Sequence, residues 1–375
     1  MPLPAHLTPA DIEAIGKELD AIRDDVIASR GESDRAYIKK VIKGHRTLET
    51  AARITLLGSL FPPAWLAGTT MLSVAKILEN MELGHNILHG QWDWMRDPEI
   101  HSTTWDWDNV TPAADWKHTH NYLHHTYTNI IGMDRDLGYQ LLRISPDQRW
   151  YSYHLAQVPM NIALMFLFEY GIALYDMEIG KAFTGKMPKA EIKRHLGKTW
   201  AKIKPQVLKD LVVWPLLSGP SAATTLAANV TANVVRNVWT HSVIFCGHFP
   251  DEVQEFTIEE TKDETRGGWY VRQLLGSANL DGGKAFNLMT GQLSFQIEHH
   301  LFPDLPSNRY VEIAPRVRAL CEKYDLPYVS GPMHKQLAQV WVQLAKMSLP
   351  PKQQPAHPKK LATSTKQSAK ASEAA

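Results

Sequence analysis

The chain has 375 residues, with 40 basic and 39 acidic side chains, so its net charge is close to zero. This balance excludes the strong positive field that is typical of nucleic-acid-binding proteins. Two cysteines are too few for a disulfide framework, and no basic segment followed by an apolar core and a cleavage site begins the sequence. We therefore expect thiols kept reduced by the cytosol, and no secretion by a signal peptide.

Residues 1–50 are predicted to form an amphipathic and basic helical region. Thr8 and Pro9 are typical of a helix start, as the N-cap and the first helical residue. A basic segment, residues 35–46, follows this helix and precedes the first long apolar stretch. The apolar residues of the helix recur at a spacing that places them on one face: Ile12, Ile15, Leu19 and Ile22.

Apolar stretches predict a membrane domain over residues 51–340. The stretch near 52–83 contains Pro62–Pro63, and the stretch near 205–240 is broken at Ser218–Pro220. Because proline and glycine interrupt helices, we interpret each stretch as a pair of membrane-crossing helices joined by a turn, the second helix of the first pair being short. Helices in the core of a soluble protein are the alternative.

A third apolar stretch, residues 155–177, is followed by a lysine-rich segment, residues 181–204. Such basic segments stay on the cytosolic side of a membrane. A single crossing at 155–177 would place these lysines outside, so we expect this stretch to be interfacial or re-entrant. With two helices in each of the other two apolar stretches, four helices then cross the membrane in total. The tail, residues 349–375, is rich in Pro, Lys, Ser and Ala and is expected to be disordered.

Many of the 17 histidines lie in short groups: HNILH (85–89), HNYLHH (120–125) and QIEHH (296–300). Spacings of three to five residues bring side chains to one face of a helix. A further histidine, His248, lies where the last crossing helix should leave the membrane. The pattern predicts a metal site whose candidate ligands are His85, His89, His120, His124, His125, His248, His299 and His300.

Four ligands fill a tetrahedral zinc site, so this surplus predicts two metal ions. Imidazole suits zinc, copper, iron or nickel, and the residue types alone leave the metal open. The HExxH pattern of zinc proteases requires Glu after its first His, where this chain has Asn86. A non-catalytic metal-binding or transport protein would carry ionisable ligands within its spans, whereas these histidines lie outside the apolar stretches.

The motifs HNILHG, HNYLHHTYTN and GQLSFQIEHHLFPDLP resemble, in order, the three histidine boxes of the membrane fatty acid desaturase superfamily. The Gln that heads the third box and the LFP that follows are similar to the front-end and linoleoyl-CoA desaturase-like branch. The resemblance implies an all-α membrane protein with about four transmembrane helices, interfacial helices and a cytosolic helical cap that holds a di-iron site. It implies O2-dependent insertion of a double bond into a long acyl chain, carried as acyl-CoA or acyl-lipid.

Under this resemblance the box histidines are iron ligands, and His248 matches the isolated histidine that the family places after its last span. Gln296 replaces a histidine of related acyl-CoA desaturases, so it either binds iron, holds a water or orients a neighbour. His241, two turns before His248, is a further possible ligand. Tryptophans between the first two boxes either wall an acyl tunnel or anchor the chain at the membrane interface: Trp92, Trp94, Trp105 and Trp107.

Metal-bound imidazoles are usually oriented through their second ring nitrogen by carboxylates or carbonyls. Acidic residues near the boxes are candidates for this task, although solvated loop acids are the expected role of many of them. The candidates are Glu82, Asp93, Asp97, Glu99, Asp106, Asp108, Asp134, Asp136 and Glu298.

The sequence contains no GxGxxG, CxxC or HPGG motif for a dinucleotide, an iron–sulfur centre or haem. We therefore expect an external electron donor, a separate ferredoxin, rubredoxin or cytochrome b5-type carrier with its reductase. The expected location is a membrane, the inner membrane of a bacterium, with the active site on the cytosolic face. A di-iron acyl or alkane hydroxylase of the same superfamily is the alternative activity.

Overall fold

The computed structural model describes residues 4–178, 181–182 and 185–354. These residues are mostly helical, and their strands are β1 (Asn279–Leu280) and β2 (Ser330–Gly331), which pair in parallel. The all-α fold class is thus confirmed. Most of the tail expected to be disordered lies outside the described residues.

The α-helices of the described residues follow one another along the whole chain. They are α1 (Pro9–Ser29), α2 (Glu32–Leu56), α3 (Pro62–Leu78), α4 (Asn86–Leu88), α5 (Ala113–Trp116), α6 (His125–Tyr127), α7 (Gln157–Phe166), α8 (Phe168–Asp176), α9 (Lys189–Val207), α10 (Trp214–Leu217), α11 (Ala222–His248), α12 (Arg266–Leu275), α13 (Lys284–Met289), α14 (Gln296–Leu301), α15 (Tyr310–Lys323) and α16 (Met333–Ser348).

Shorter helical turns join several of these helices. Turns of π-helix cover Glu79–His85, Lys117–His124 and Leu208–Val213. Turns of 3₁₀-helix cover Asp93–Met95, Leu137–Gln140, Ser152–Ala156, Gly219–Ser221, Leu293–Phe295 and Ser307–Arg309.

Helix α1 begins where the sequence predicts. The Thr8 side chain accepts a hydrogen bond from the Asp11 backbone, and the Asp11 carboxylate accepts one from the Thr8 backbone, which closes a capping box. Its apolar face, including Ile15 and Leu19, is buried in a core shared with α12 and α15. The predicted boundary between the N-terminal region and the membrane domain, at residue 50, falls inside α2, so one continuous helix joins the two regions.

Two helical hairpins form the centre of the fold. The first consists of α2 and α3, with α3 starting at the predicted proline pair, and α3 packs in turn against α11 of the second hairpin. From α3 the helix continues through the π-helical turn and α4 to Leu88, so it is longer than the short helix expected. In the second hairpin α10 precedes α11, and the break at Ser218–Pro220 is confirmed.

The turns of the two hairpins lie side by side. The Ser221 hydroxyl donates to the Leu57 carbonyl at 2.8 Å, and the Ser59 and Thr224 hydroxyls are 2.7 Å apart. Large apolar side chains at this end, the hairpin tips, are exposed. They are Leu57, Leu60, Phe61, Leu216 and Leu217.

Within the described residues, no single helix is both long and apolar enough to cross a bilayer. The segments Ser152–Phe166 and Phe168–Asp176 meet these limits of length and composition only together, and they are bent by 103° at their junction. The four crossing helices stay a prediction.

A buried network of ion pairs links the two hairpins. Asp210, in the π-helical turn before α10, lies 2.7 Å from the Arg53 guanidinium and 2.6 Å from the Lys76 ammonium. Arg53 also donates to the Asn229 amide oxygen of α11 at 2.8 Å. Because Arg53 belongs to α2 and Lys76 to α3, one carboxylate links three elements of the fold.

The third histidine group is held in place by β1. The Asn279 amide oxygen accepts a hydrogen bond from the Ile297 backbone at 2.8 Å, and its amide nitrogen donates to the Glu298 carboxylate at 2.9 Å. The Tyr328 hydroxyl, just before β2, donates to the same carboxylate at 2.9 Å. These contacts fix α14 against the rest of the molecule, with its histidines fully buried.

Candidate metal centre

Two of the three histidine groups lie on π-helical turns. His85 ends the turn Glu79–His85, and the turn Lys117–His124 contains both His120 and His124. A π-helix closes i→i+5 hydrogen bonds, and single π turns inside α-helices occur frequently at functional sites. In the first two boxes the backbone is thus wound as π-helix rather than α-helix at His85, His120 and His124.

The structure brings the three groups together into two clusters. In each cluster the ligand atoms all lie within 4.8 Å of one another. Cluster A consists of His85, His89, His120 and His299, and cluster B consists of His124, His125 and His300. The clusters are neighbours, since the rings of His125 and His299 are 4.8 Å apart.

His248 and Gln296 lie beside cluster B. The Nε2 atom of His248 is 3.1 Å from Nε2 of His300 and 2.9 Å from the Gln296 amide nitrogen. His241 lies elsewhere: its Nε2 bonds the Asn161 amide oxygen at 2.9 Å. The structure therefore brings His248 and Gln296 to the centre, but it does not bring His241 there.

Carboxylates support one ring in each cluster. In cluster A, Nδ1 of His120 lies 3.0 Å from the Asp136 carboxylate, and in cluster B, Nδ1 of His124 lies 3.0 Å from Asp134. A carboxylate behind Nδ1 holds the proton there, so that Nε2 keeps its lone pair for a metal.

Neutral groups support three further rings through the same nitrogen. The Nδ1 partners are Asn86 for His85 at 3.1 Å, Tyr310 for His299 at 3.3 Å, and Gln273 for His300 at 3.1 Å. Of the acids singled out in the sequence, Glu82 and Glu298 instead accept hydrogen bonds from other side chains.

Several ring nitrogens are buried without a hydrogen-bond partner among the described residues. Within clusters A and B they are Nε2 of His89, His120 and His299, and both ring nitrogens of His125, and beside cluster B Nδ1 of His248 is another. A buried polar atom without a partner is costly, and converging imidazole nitrogens are suitable metal ligands. The residues present therefore fit a metal centre.

Burial also keeps most of these rings neutral. It disfavours the charged imidazole and lowers the pKa of His85 to about 3. It holds the pKa well below its ordinary value for His89, His125, His299 and His300. Neutral imidazole is the form that binds a metal.

His124 differs from these rings in the direction in which its pKa is shifted. Burial acts on it in the same direction, but the Asp134 and Asp136 carboxylates outweigh burial and raise the pKa of His124 above its ordinary value. The pKa of Asp136 is lowered. Burial alone would raise it, but the nearby His124 and the contact with His120 outweigh burial.

An inner pocket opens from cluster A. His85 and His120 form part of its wall, and Trp107 lines it together with aromatic and aliphatic residues that the sequence did not single out: Trp116, Tyr139, Phe168, Ile172 and Ile244. The Trp116 ring stacks on His120, with centroids 4.6 Å apart. Polar side chains, among them Asn80, Asn109, Glu169 and Asp176, also line the pocket, so its apolar wall covers only part of it. The apolar part, next to imidazoles, suits an apolar ligand.

The other tryptophans of the predicted tunnel lie at different places. Trp105 lines an outer cleft of about 860 Å³, which Trp107 also borders. Trp92 is fully buried in an apolar cluster with Ile38 and Ile87, and Trp94 lies under the guanidinium groups of two arginines, Arg30 and Arg35.

Comparison with known proteins places these features in a family. The family model for fatty acid desaturases matches residues 60–332. The chain belongs to the fatty acid desaturase family. It is accordingly an enzyme, an oxidoreductase, and the resemblance seen in its three histidine boxes is confirmed.

Three relatives in this family show different degrees of similarity to the chain. The chain is 53% identical over 352 residues to an NADPH-dependent stearoyl-CoA 9-desaturase of Mycobacterium tuberculosis, covering 93% of this chain and 82% of the relative. It is 25% identical over 300 residues to an sn-1 linoleoyl-lipid 6-desaturase of Synechocystis, covering 77% and 81%. An acyl-lipid (8-3)-desaturase of Mortierella alpina is 26% identical over 253 residues, covering 65% and 55%.

Proposed function

We propose that this enzyme introduces a double bond into a long acyl chain that is presented as its CoA thioester. The observation that carries the proposal is the contact between cluster A and the inner pocket, whose walls include His85 and His120. The relative that acts on stearoyl-CoA at position 9 supports a stearoyl-CoA-like substrate and the same position.

Two iron ions are the proposed cofactor. The imidazoles of cluster A would hold one ion, and those of cluster B together with His248 would hold the other. Gln296 is a further contact of the second ion, direct or through a water. When bound, the iron pair supplies the activation of O2 that breaking an unactivated methylene C–H bond requires.

The electron balance requires an external donor. Removing two hydrogen atoms from adjacent carbons gives two electrons, whereas reducing O2 to two waters takes four. Two electrons and two protons must therefore come from elsewhere. A separate ferredoxin, rubredoxin or cytochrome b5-type carrier with its reductase is the proposed source, and the relative described as NADPH-dependent supports NADPH as the first reductant.

The proposed role of the inner pocket is to hold the acyl chain against the centre. Phe168, Ile172 and Ile244 offer an apolar surface. Trp116, which stacks on His120, and its neighbour Trp107 add aromatic rings beside the histidines. Such walls exclude water from the reacting methylenes and keep them in a single position along the pocket. Trp107 is the tryptophan for which we retain the tunnel role.

A membrane location with the centre on the cytosolic face is also proposed. The exposed apolar hairpin tips support contact with lipid. The lysine-rich helix α9 supports the orientation, because Lys198 contacts Asp115 at 3.4 Å and Lys202 contacts the Trp107 carbonyl at 2.8 Å, next to the inner pocket. Basic segments of this kind stay on the cytosolic side.

Metal content tests the cofactor. Purified enzyme should hold close to two irons per chain, and His124→Ala and His300→Ala should each lose iron, whereas His6→Ala, an exposed histidine that bonds the Tyr324 carbonyl, should not. A single zinc, or no iron after anaerobic loading, would contradict the proposal.

Product analysis tests the reaction. The enzyme is incubated with stearoyl-CoA, NADPH, a ferredoxin and its reductase, and the fatty acids are analysed by gas chromatography and mass spectrometry. We expect a double bond between carbons 9 and 10, formed with consumption of O2. A hydroxylated product would overturn desaturation in favour of the hydroxylase.

A further inference from the structure

One buried amide, that of Gln91, lies behind two rings of cluster A. Its Nε2 atom carries two hydrogens and lies near three acceptors: the Tyr310 hydroxyl at 3.0 Å, the Pro303 carbonyl at 3.1 Å and the Asn86 amide oxygen at 3.3 Å. Asn86 is the Nδ1 partner of His85, and Tyr310 is the Nδ1 partner of His299. The three side chains Gln91, Asn86 and Tyr310 are fully buried, so no water competes for these contacts.

The orientation of Asn86 is determined by its neighbours. Its amide nitrogen donates to the Glu82 carbonyl at 3.2 Å and to the Gly291 carbonyl at 3.1 Å. Its amide oxygen therefore faces His85 and Gln91, and it accepts from both. The proton of His85 must then lie on Nδ1, which leaves a lone pair on Nε2.

The Tyr310 hydroxyl is constrained in the same way. It has one hydrogen, which it donates to the Phe302 carbonyl at 3.1 Å. Its oxygen is left to accept from the Gln91 amide and from Nδ1 of His299. Without the Gln91 donor, the hydroxyl is free to turn its hydrogen toward His299, which would move the ring proton to Nε2 and remove the lone pair from the centre.

We propose that Gln91 is a positioning residue that fixes the tautomer of His299 through Tyr310 and supports the Asn86 oxygen that faces His85. It thereby couples a ligand of the first box to a ligand of the third box across cluster A, where the two rings are 4.9 Å apart. This inference rests on the proposed iron centre. It assigns Gln91 to cluster A, so the iron of cluster B should not depend on it.

The test compares an almost isosteric variant with a matched control. Gln91→Met keeps the volume of the side chain but removes both donors. Gln157→Met removes an equally buried amide, which bonds Arg143 and the Leu344 carbonyl and contacts none of the clustered histidines. Each protein is purified with its iron, and the release of iron to a chelator and the Mössbauer spectrum are measured.

In Gln91→Met we expect one of the two irons to be released up to about 10-fold faster than in the wild type, since direct hydrogen-bond partners of metal ligands contribute about 10- to 100-fold to affinity and Gln91 lies one contact further out. The Mössbauer signal of one iron should shift, and that of the other should not. Gln157→Met should leave both signals and both release rates unchanged, even if its melting temperature falls.

A second variant covers the case in which Gln91→Met does not fold. Tyr310→Phe removes only the hydroxyl, and we expect the same single iron to change its spectrum and its release rate. If either variant retains two irons that behave as in Gln157→Met, the role of Gln91 is overturned while the proposed function is kept. A wild-type enzyme without iron would overturn both.

Discussion

Asp134 and Asp136 lie two residues apart but support rings of different clusters. Asp136 contacts His120 of cluster A, and Asp134 contacts His124 of cluster B, each at 3.0 Å. Each proposed iron therefore has one ligand backed by a negative charge, while the other hydrogen-bonded rings are backed by neutral groups. Asp136 also lies 3.9 Å from Nδ1 of His124, so the two carboxylates act on both clusters, with the closer contact of each going to a different cluster.

The carboxylate pair gives a first prediction. Asp136→Asn and Asp134→Asn preserve the shape of the side chain but remove the charge that raises ligand basicity. Each variant should lower iron affinity by about 10- to 100-fold. A competition titration with a chelator measures this, and each variant should weaken one iron. Glu99→Gln, an exposed acid, is the control and should not change either affinity.

His241 and His248 give a second prediction at the same scale. The two histidines lie on α11, but His241 bonds Asn161 and stacks on Phe245 at 3.8 Å. His241→Phe should therefore keep two irons per chain, whereas His248→Ala should lose iron from cluster B. Iron content after gel filtration measures the difference. Loss of iron in His241→Phe alone would contradict this placement.

The sequence predicted the clustered histidines because their spacing depends only on local helix geometry. It placed His248 among the ligands and His241 only as a further possible ligand, but it could not exclude His241, since seven residues place both on one helix face, about 10 Å apart along the axis. Gln91 and Gln273 were missed, because a lone glutamine has no spacing pattern and its role depends on contacts between distant segments. Asp134 and Asp136 were only two of many candidate acids until the loop after α6 was seen.

At the scale of elements, the hairpins depend on Asp210. Its carboxylate is the contact that Arg53 of α2 and Lys76 of α3 share, and all three side chains are at least nine-tenths buried. Burial of an incomplete ion pair costs far more than loss of an exposed one. Loss of this carboxylate should therefore destabilise the hairpin pair, although the hairpins also share an apolar cluster that includes Leu56, Leu72 and Ala228.

A third prediction follows for Asp210→Asn. The variant leaves two buried cations without their common carboxylate, so the free energy of unfolding should fall by about 3–5 kcal/mol. Chemical denaturation in detergent measures this value. Lys17→Met breaks the exposed pair with Glu13 and should change stability by less than about 1 kcal/mol. Equal effects of the two variants would argue against the network.

Helix boundaries were predictable to different degrees. Thr8 and Pro9 mark the start of α1, and Pro62 marks the start of α3, because caps and prolines act within one turn of helix. The π-helical winding of Lys117–His124 was not predictable, since the residue types in this segment do not distinguish a π-helical turn from an α-helical one. The sequence therefore predicted which segments are helical more reliably than how they are wound.

At the scale of the molecule, the end at which both hairpins turn is the surface that we predict to contact lipid. The hairpin tips expose large apolar side chains at the end where both hairpins turn. Phe61 is 65% exposed and Leu217 is 64% exposed, although both belong to long apolar stretches. Such a patch is typical of a surface that contacts a membrane.

A fourth prediction tests this surface. Phe61→Gln together with Leu217→Gln should reduce the fraction of enzyme that stays in membranes after alkaline carbonate extraction, because apolar area would no longer enter lipid. The melting temperature and the iron content should change little. Val311→Gln, at an exposed apolar position on α15, is the control and should leave extraction unchanged.

The π-helical turn that holds His120 and His124 makes the length of that segment as important as its composition. One residue more or less in an α-helix rotates everything beyond it by about 100°. A deletion at Asn121 or Tyr122 would therefore point His124 and His125 away from their partners, although every histidine would still be present. Insertions and deletions in this segment should therefore disrupt the centre even when every histidine is retained. A comparison of residue identities alone would not reveal this constraint.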